Sequence, residues 1–545
     1  MEYAIDFGTS NTVVARINEQ GKIETVNLAE YSCLIVDNPP LIPSLVYVQD
    51  AVNAQVLIGQ EIGDRGLDRN NSKGKSRFFK AFKRAIAANT SEFVPEIDGR
   101  EVDFELVGEW FLKKIIERLP DIDSLILTVP VDSFESYRNW LGGICEKLAV
   151  NQVRILDEPT AAALGYGINC GIGGINNGAE TVLVIDFGGG TLDLSLVKLS
   201  LSQIDPNQPK SPLGFLLKWG DRTFNHTNNR TNNNQNSQNS QIAKVLAKTG
   251  QNLGGIDIDN WIVDYFHQQL GLPKNSLVTR LAERIKIVLS ISDSTTEVYF
   301  NDQTFESYEL NLTRSQFNQI LEEHKFFANL DRALDQIRQQ AIRQNIDLAQ
   351  IEAVLLVGGT SQIPAVKEWA IRHFSMAKVK ADKPLEAIAH GAIAQGWELQ
   401  DFIYHSYGVR YWDKRYKRHN WHTIIKSGTT YPLAKPVELT LGASMADQPS
   451  IELVIGELGE TNVEVYFEDD RLITRVLENQ QFSVQTLNDS DRGRAIAKLS
   501  PLGQTGSDRI KVDFQIDATR TLRITVKDLL TNQTLLENIS VVQLM

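Results

Sequence analysis

The stretch "VLVIDFGGGTLDLSLV", residues 182–197, sets an aspartate and three consecutive glycines between two apolar runs. An apolar strand ends at Asp186, a tight glycine turn follows, and a second apolar strand leaves it. The start of the chain, "YAIDFGTSNTVVARI" (3–17), repeats the pattern with Asp6, Gly8, Thr9 and Ser10. One such turn is an ordinary hairpin. Two copies with matching flanks, 180 residues apart, ask for a shared task. Glycines let backbone amides approach an anion, and the hydroxyls of Thr9, Ser10 and Thr191 can donate to the same oxygens. A carboxylate beside bare phosphate would repel it. A hydrated Mg²⁺ between them removes the conflict, so Asp6 and Asp186 are read as holding its water shell while the two turns clamp one polyphosphate.

The 545 residues are 42% hydrophobic and 23% charged, the composition of a soluble protein of about three or four folding units. A net charge of −13 disfavours a general hold on nucleic acid or on an anionic membrane. Cys33, Cys145 and Cys170 have no metal-ligand spacing and are too few for a disulfide framework. The sequence enters an apolar strand at once, and no run approaches the ~20 apolar residues of a membrane span. The expectation is a cytoplasmic protein with no membrane partner.

Two further segments complete the pattern. "SLILTVPVDSFESYRNWLGGICEKLAVNQVRILDEPTAAALGYG" reads as strand, helix, strand and an alanine-rich helix with Pro159 in its first turn. "IEAVLLVGGTSQIPAVKEWAIRHF" reads as a buried strand, a Gly358-Gly359-Thr360 turn and a helix entered at Pro364. Paired glycines at a strand end let a flat nucleoside lie on the backbone. A second alanine-rich helix follows in "PLEAIAHGAIAQG". "KGKS" (73–76) lacks the earlier glycine of a P-loop, and "GYGINCG" lacks the spacing of a dinucleotide fingerprint.

In this order the segments resemble the actin-like ATPase fold. "LDEPTAAALGYG" and "IDFGGGTLDLSLV" resemble specifically the seventy-kilodalton heat-shock chaperones of the DnaK type. The resemblance implies an α/β nucleotide-binding domain of two duplicated ribonuclease-H-like lobes over 1–396. It implies ATP or ADP with Mg²⁺, and K⁺ as a further ion. Carried over by position, Asp6, Asp186 and Asp193 serve the metal, mainly through water. Gly8, Thr9, Ser10, Gly189, Gly190 and Thr191 contact phosphate. "FFKAFKRAI" places the family's catalytic lysine at Lys83, and Glu158 matches its metal-sensing acid. Most of the six cations between 73 and 84 are read as a solvated helix face. Gly254, Gly255, Glu283, Lys286, Ser290, Gly358, Gly359, Thr360 and Gln362 fall where the family holds ribose and adenine. Ile287 and Gln362 replace the two arginines that sandwich the base, and Leu385 replaces a ribose-side aspartate. Losing both guanidinium planes removes cation–π stacking of up to ~2 kcal/mol.

From about Gly408 the pattern changes. "DRIKVDFQID" and "TLRITVKD" alternate strictly, with Ile510, Val512, Phe514, Ile516, Leu522, Ile524 and Val526 on one face. Short strands of this kind make an all-β sandwich over 408–545. "TIIKSGTTYP" and "IELVIGELGE" resemble the family's peptide-binding domain, which takes extended apolar peptide segments in a groove. Arg520 stands where the family has a turn glycine. The sequence ends at Met545 after the final strand, giving the expectation of a form without the family's helical lid. Residues 397–407 read as a linker with Glu398, Leu399 and Gln400 where the family is apolar. Arg154 and Asp401 match positions that contact J-domain co-chaperones, and a nucleotide exchange factor is a further implied partner. The Asn-rich stretch 225–241 reads as a disordered insertion. "VRYWDKRYKRHNWH" (409–422) reads as an exposed hairpin, with single-stranded nucleic acid as the lesser alternative.

The leading reading is an ATP-hydrolysing chaperone that binds apolar peptide segments. Two alternatives stay open: a nucleotide-dependent scaffold or regulatory protein holding one dedicated partner, and a small-molecule kinase of the actin-like superfamily.

Overall fold

The computed structural model describes residues 1–34, 38–69, 77–87, 89–90, 94–169, 179–203, 215–216, 239–301, 304–394, 397–413, 415–459, 463–468, 471–476, 483–488 and 495–544. The chain divides into two compact units. One comprises Met1–Asp132, Trp140–Leu399 and Glu464–Arg475, and the other Ser133–Asn139, Gln400–Val463 and Val476–Met545.

The first unit is mixed α/β and contains the same motif twice. In one sheet Glu2–Phe7 pairs antiparallel with Asn11–Ile17 and parallel with Ser124–Val129, which pairs parallel with Gln152–Asp157. In the other, Ala179–Phe187 pairs antiparallel with Leu192–Gln203 and parallel with Ala353–Val357. Each glycine turn therefore closes a hairpin whose first strand has a parallel neighbour. The parallel strands Ser124–Val129 and Ala353–Val357 are buried along their whole length, as strands covered on both faces by helices must be. That is why they read as unbroken apolar runs. The alanine-rich helix Glu158–Asn169 crosses Ala387–Ala392 closely. A Cβ on Gly391 would lie 1.8 Å from the Ala161 carbonyl oxygen, and one on Gly165 would lie 3.0 Å from Gly391 Cα. Small residues are the condition for that contact.

The segment read as a linker begins otherwise. Trp397–Gln400 is an edge strand beside Asn239–Gln251. Trp397 and Leu399 are both buried, and residues two apart on a strand share a face. Residues 239–241, included in the Asn-rich insertion by the sequence reading, begin the strand Asn239–Gln251; 225–238 lie outside the described residues.

The second unit is built of antiparallel sheets. One orders Arg418–Ile425, Ser406–Asp413, Ile455–Gly459 and Ser483–Thr486; another orders Val437–Gly442, Asp508–Ile516, Thr521–Asp528 and Thr534–Gln543. Ile510, Val512, Phe514, Ile516, Leu522, Ile524 and Val526 all lie in its core, as their alternation predicts. The basic aromatic stretch forms a hairpin of Ser406–Asp413 with Arg418–Ile425, and its tip carries the Arg415 and Arg418 guanidinium groups over the Tyr416 ring. Arg520 keeps the left-handed turn expected of a glycine, at φ +59°.

Candidate functional site

The two glycine turns of the first unit face each other. A Cβ on Gly190 would stand 2.2 Å from Thr9 Oγ1, and one on Gly189 would stand 2.2 Å from Ser10 Oγ. The hydroxyls of one turn therefore project into the glycines of the other. Gly8 is required by the first turn itself, because a Cβ there would meet the Asn11 carbonyl oxygen at 2.1 Å. The second turn is braced from outside: Gly255 N–H donates to Gly188 O at 3.1 Å, Ile256 N–H to Gly189 O at 2.9 Å, and Thr360 Oγ1 to Gly188 O at 2.7 Å. Gly254, Gly255 and Thr360 are thus brought to the second glycine turn, whereas the sequence reading puts them in the nucleoside pocket.

Beside the turns stands a buried charge cluster. Lys83 Nζ donates to Glu158 Oε1 at 2.9 Å, and both side chains are 7% exposed. Carboxylate oxygens of Glu158, Asp186 and Asp193 lie within 4.8 Å of one another. Asp193 Oδ1 accepts the Val131 N–H at 2.9 Å, and its Oδ2 is buried with no hydrogen-bond partner. Asp6 accepts from Thr128 Oγ1 at 2.9 Å. Burial, and then the Glu158 charge, push the Asp6 carboxyl up to about 7. The same two causes raise Asp186 and Asp193 well above the ordinary range. Carboxylates crowded out of water are stabilised by a hard cation with oxygen preference, so this donor set fits Mg²⁺. Glu158 joins Asp186 and Asp193 at ligand distance, while Asp6 acts on the cluster through its charge.

The residues that the sequence reading assigns to the nucleoside are tied by ion pairs. Lys80 Nζ donates to Glu283 Oε2 at 2.6 Å. Lys286 Nζ lies 2.7 Å from Asp259 Oδ1 and donates to Gly255 O at 2.9 Å. Burial would raise Glu283, but Lys80 and Lys286 outweigh it and hold it below the usual carboxylate range. Burial pushes Asp259 up to about 6 against the pull of Lys286. Ser290 Oγ donates to the Lys286 carbonyl at 3.1 Å. Gly358 takes φ +82°, and a Cβ there would meet Phe187 O at 2.4 Å. Gly359, Gln362 and Ile287 are exposed.

One expectation is overturned. The described cations of the 73–84 run are not a solvated helix face: Phe78–Lys80 is a strand and Phe82–Ala85 a short 3-10 turn. Lys80, Lys83 and Arg84 each hold an acid from a distant part of the chain. Arg84, 3% exposed at its side chain, donates Nη1 to Asp257 Oδ1 at 2.9 Å and Nε to Gly190 O at 3.0 Å. Sequence reading missed Lys80, Arg84, Asp257 and Asp259. No local signal marks them: Lys80 meets Glu283 and Arg84 meets Asp257 across 203 and 173 residues of chain.

Comparison with known proteins gives a family match and several relatives. The model of the family described as Hsp70 protein matches residues 112–205 and 239–402. A chaperone protein HscA homolog of Mannheimia succiniciproducens is 25% identical over 493 residues, 83% of this chain and 68% of that protein. The HscA homolog of Pasteurella multocida is 23% identical over 565 residues, 96% and 75% of the two chains. That of Aeromonas hydrophila is 24% identical over 484 residues, covering 83% and 68%.

Proposed function

From a chain that carries an Hsp70 family domain, we propose an ATP-dependent chaperone. Its first unit, of actin-like lobes, binds ATP between the two Asp-Phe-Gly hairpins and hydrolyses it slowly. Its second unit holds extended apolar peptide segments, with J-domain and exchange-factor partners acting on the cycle in the cytoplasm. The observation that carries this reading is the Lys83–Glu158 pair standing against the Asp186–Asp193 carboxylates where two glycine turns meet.

Phosphoryl transfer to water needs positioning and charge stabilisation more than covalent chemistry. Backbone amides of Gly8 to Ser10 and Gly188 to Thr191 would cradle the phosphates, with the Thr9 and Ser10 hydroxyls donating to them. Glu158, Asp186 and Asp193 would hold Mg²⁺, which when bound neutralises charge on the phosphate oxygens. Lys83 places a positive charge beside the attacked phosphorus, orients a water and meets the oxyanion that develops. Glu158 holds that ammonium in place.

Lys83→Ala tests the reading. Single-turnover hydrolysis should fall by at least about a hundredfold while ATP binding by calorimetry changes little, because the lysine acts on the transition state. Unchanged turnover would remove Lys83 from the reaction. The scaffold reading gains if wild-type chain binds ATP and releases no phosphate. The kinase reading gains if ADP forms only with a small-molecule acceptor, which leaves carrying the γ-phosphoryl group while no free phosphate appears.

A further inference from the structure

Asp157 and Glu158 are consecutive, one ending a strand and the other starting a helix. Each holds a buried lysine, and the lysines come from different elements. Glu158 takes Lys83 from the Phe82–Ala85 turn. Asp157 Oδ2 accepts from Lys248 Nζ at 2.7 Å, and the side chains are 5% and 2% exposed.

Lys248 belongs to the strand Asn239–Gln251 of the second sheet. There it stands opposite Ser195, while Gly250 stands opposite Asp193 and Asp193 opposite Asp186. Residues opposed across an antiparallel pair share a face, and so do residues two apart on a strand. Lys248 therefore rises from the face that bears Asp186 and Asp193, one row behind them. Gly250 leaves the intervening space open: a Cβ there would approach Asp193 Oδ1 to 2.7 Å. Gln340 fixes the lysine's backbone, accepting its N–H at 3.2 Å and donating to its carbonyl at 3.0 Å.

Stability alone is a poor reason for this pair. Taking an ammonium and a carboxylate out of water is costly, and apolar residues of the same volume often hold such a position as well or better. The cost is understandable if the pair fixes a position. Asp157 is tied by its side chain to one sheet and by its backbone to the other, through the register Val129 to Asp157. The next residue along is Glu158.

We propose that Asp157 and Lys248 are positioning residues that anchor the strand-to-helix junction and so aim Glu158 at Lys83 and at Asp186 and Asp193. The inference rests on reading the cluster as the site of nucleotide hydrolysis. The pair acts through Glu158, so its loss should slow the chemical step more than it weakens nucleotide binding.

The test uses the full chain with Asp157→Asn, Lys248→Met and the double variant. The double variant removes both charges of the pair and carries the test if either single variant fails to fold. Three quantities are measured: single-turnover ATP hydrolysis, ATP affinity by calorimetry, and Mn²⁺ affinity of the nucleotide-free chain by electron paramagnetic resonance. Expected are a rate about tenfold or more below wild type, ATP affinity within about threefold, and Mn²⁺ binding about tenfold weaker. The double variant should be no worse than the worse single one. Wild-type rate and wild-type Mn²⁺ affinity in the folded variants overturn the proposal, and so do single losses that simply add. If wild-type chain hydrolyses no ATP, the reading of the site falls and Mn²⁺ alone decides: unchanged affinity in the variants overturns the positioning role. A wild-type chain that neither hydrolyses ATP nor binds Mn²⁺ overturns both.

Discussion

Arg84 sits one residue after the lysine that the sequence singles out, and its place in the molecule could not be read from its neighbours. Its partners are Gly190, 106 residues away, and Asp257, 173 away. Local charge patterning weighs a cation against the residues around it, and on that measure a run of Lys and Arg is a solvated face. Only the fold brings the acids. Burial of the guanidinium makes the pair costly to break: removing one partner of a buried ion pair leaves the other uncompensated, typically at about 3–5 kcal/mol. Arg84→Ala should therefore lower unfolding free energy by about 3 kcal/mol. Arg84→Lys should recover only part of it, because a single ammonium cannot reproduce the fork that meets both Asp257 and Gly190. Urea titrations check this, and a loss below about 1 kcal/mol for the alanine variant would show that solvent replaces the pair. The glycine turns were legible as turns by contrast, because a glycine forced by backbone contact, as at Gly8, leaves its mark in the sequence itself.

At the scale of elements, alternation and apolar runs located strands reliably, because side-chain period is a local property of the backbone. The parallel strands and the two inward-facing rows of Asp508–Ile516 and Thr521–Asp528 were readable for that reason. Termini and turns were less so. The strand Trp397–Gln400 was read as a linker because Glu398 and Gln400 fall where the resembled family is apolar, and only the fold shows Trp397 and Leu399 to be buried. Arg520 was flagged as out of place in a turn that favours glycine. The turn keeps its left-handed backbone, which costs a non-glycine residue on the order of 1 kcal/mol. In return the guanidinium donates to Asp401 at 2.8 Å and lies over the Tyr431 ring, 4.6 Å from its centroid. Asp401, matched in sequence to a partner-contacting position, is 9% exposed and engaged in this pair. Arg520→Gly relieves the backbone but removes that guanidinium, so it should destabilise by roughly 2 kcal/mol on balance. Calorimetric melting gives the sign directly: a stabilised glycine variant would mean that turn strain outweighs the pair.

Over the whole molecule, charge sets a pH dependence that no single motif displays. The chain carries a net charge of −13, and Asp6, Asp157, Glu158, Asp186 and Asp193 are gathered around two lysines, Lys83 and Lys248. Asp6 is pushed up to about 7, and Asp186 and Asp193 are raised well above the ordinary carboxylate range, by burial first. A carboxyl whose folded pKa lies above its unfolded value contributes stability that is fully present below about pH 4 and is lost as pH rises through the folded pKa. In the absence of divalent ions, stability should therefore fall between pH 5.5 and 8. His324 and His390 pull the other way, since burial lowers both and their cost appears on acidification. Asp186→Asn isolates the cluster: it removes one raised carboxyl and should flatten the decline. Mg²⁺ should flatten it too in the wild-type chain, since a bound cation stabilises the ionised cluster and adds RT ln(1 + [L]/Kd), about 2.7 kcal/mol at a hundredfold excess over Kd. Thermal unfolding in chelator and in Mg²⁺, at both pH values and for both proteins, reads all of these terms. A wild-type chain that grows more stable from pH 5.5 to 8 in chelator, with Asp186→Asn following the same slope, would show that the carboxylates are balanced without metal.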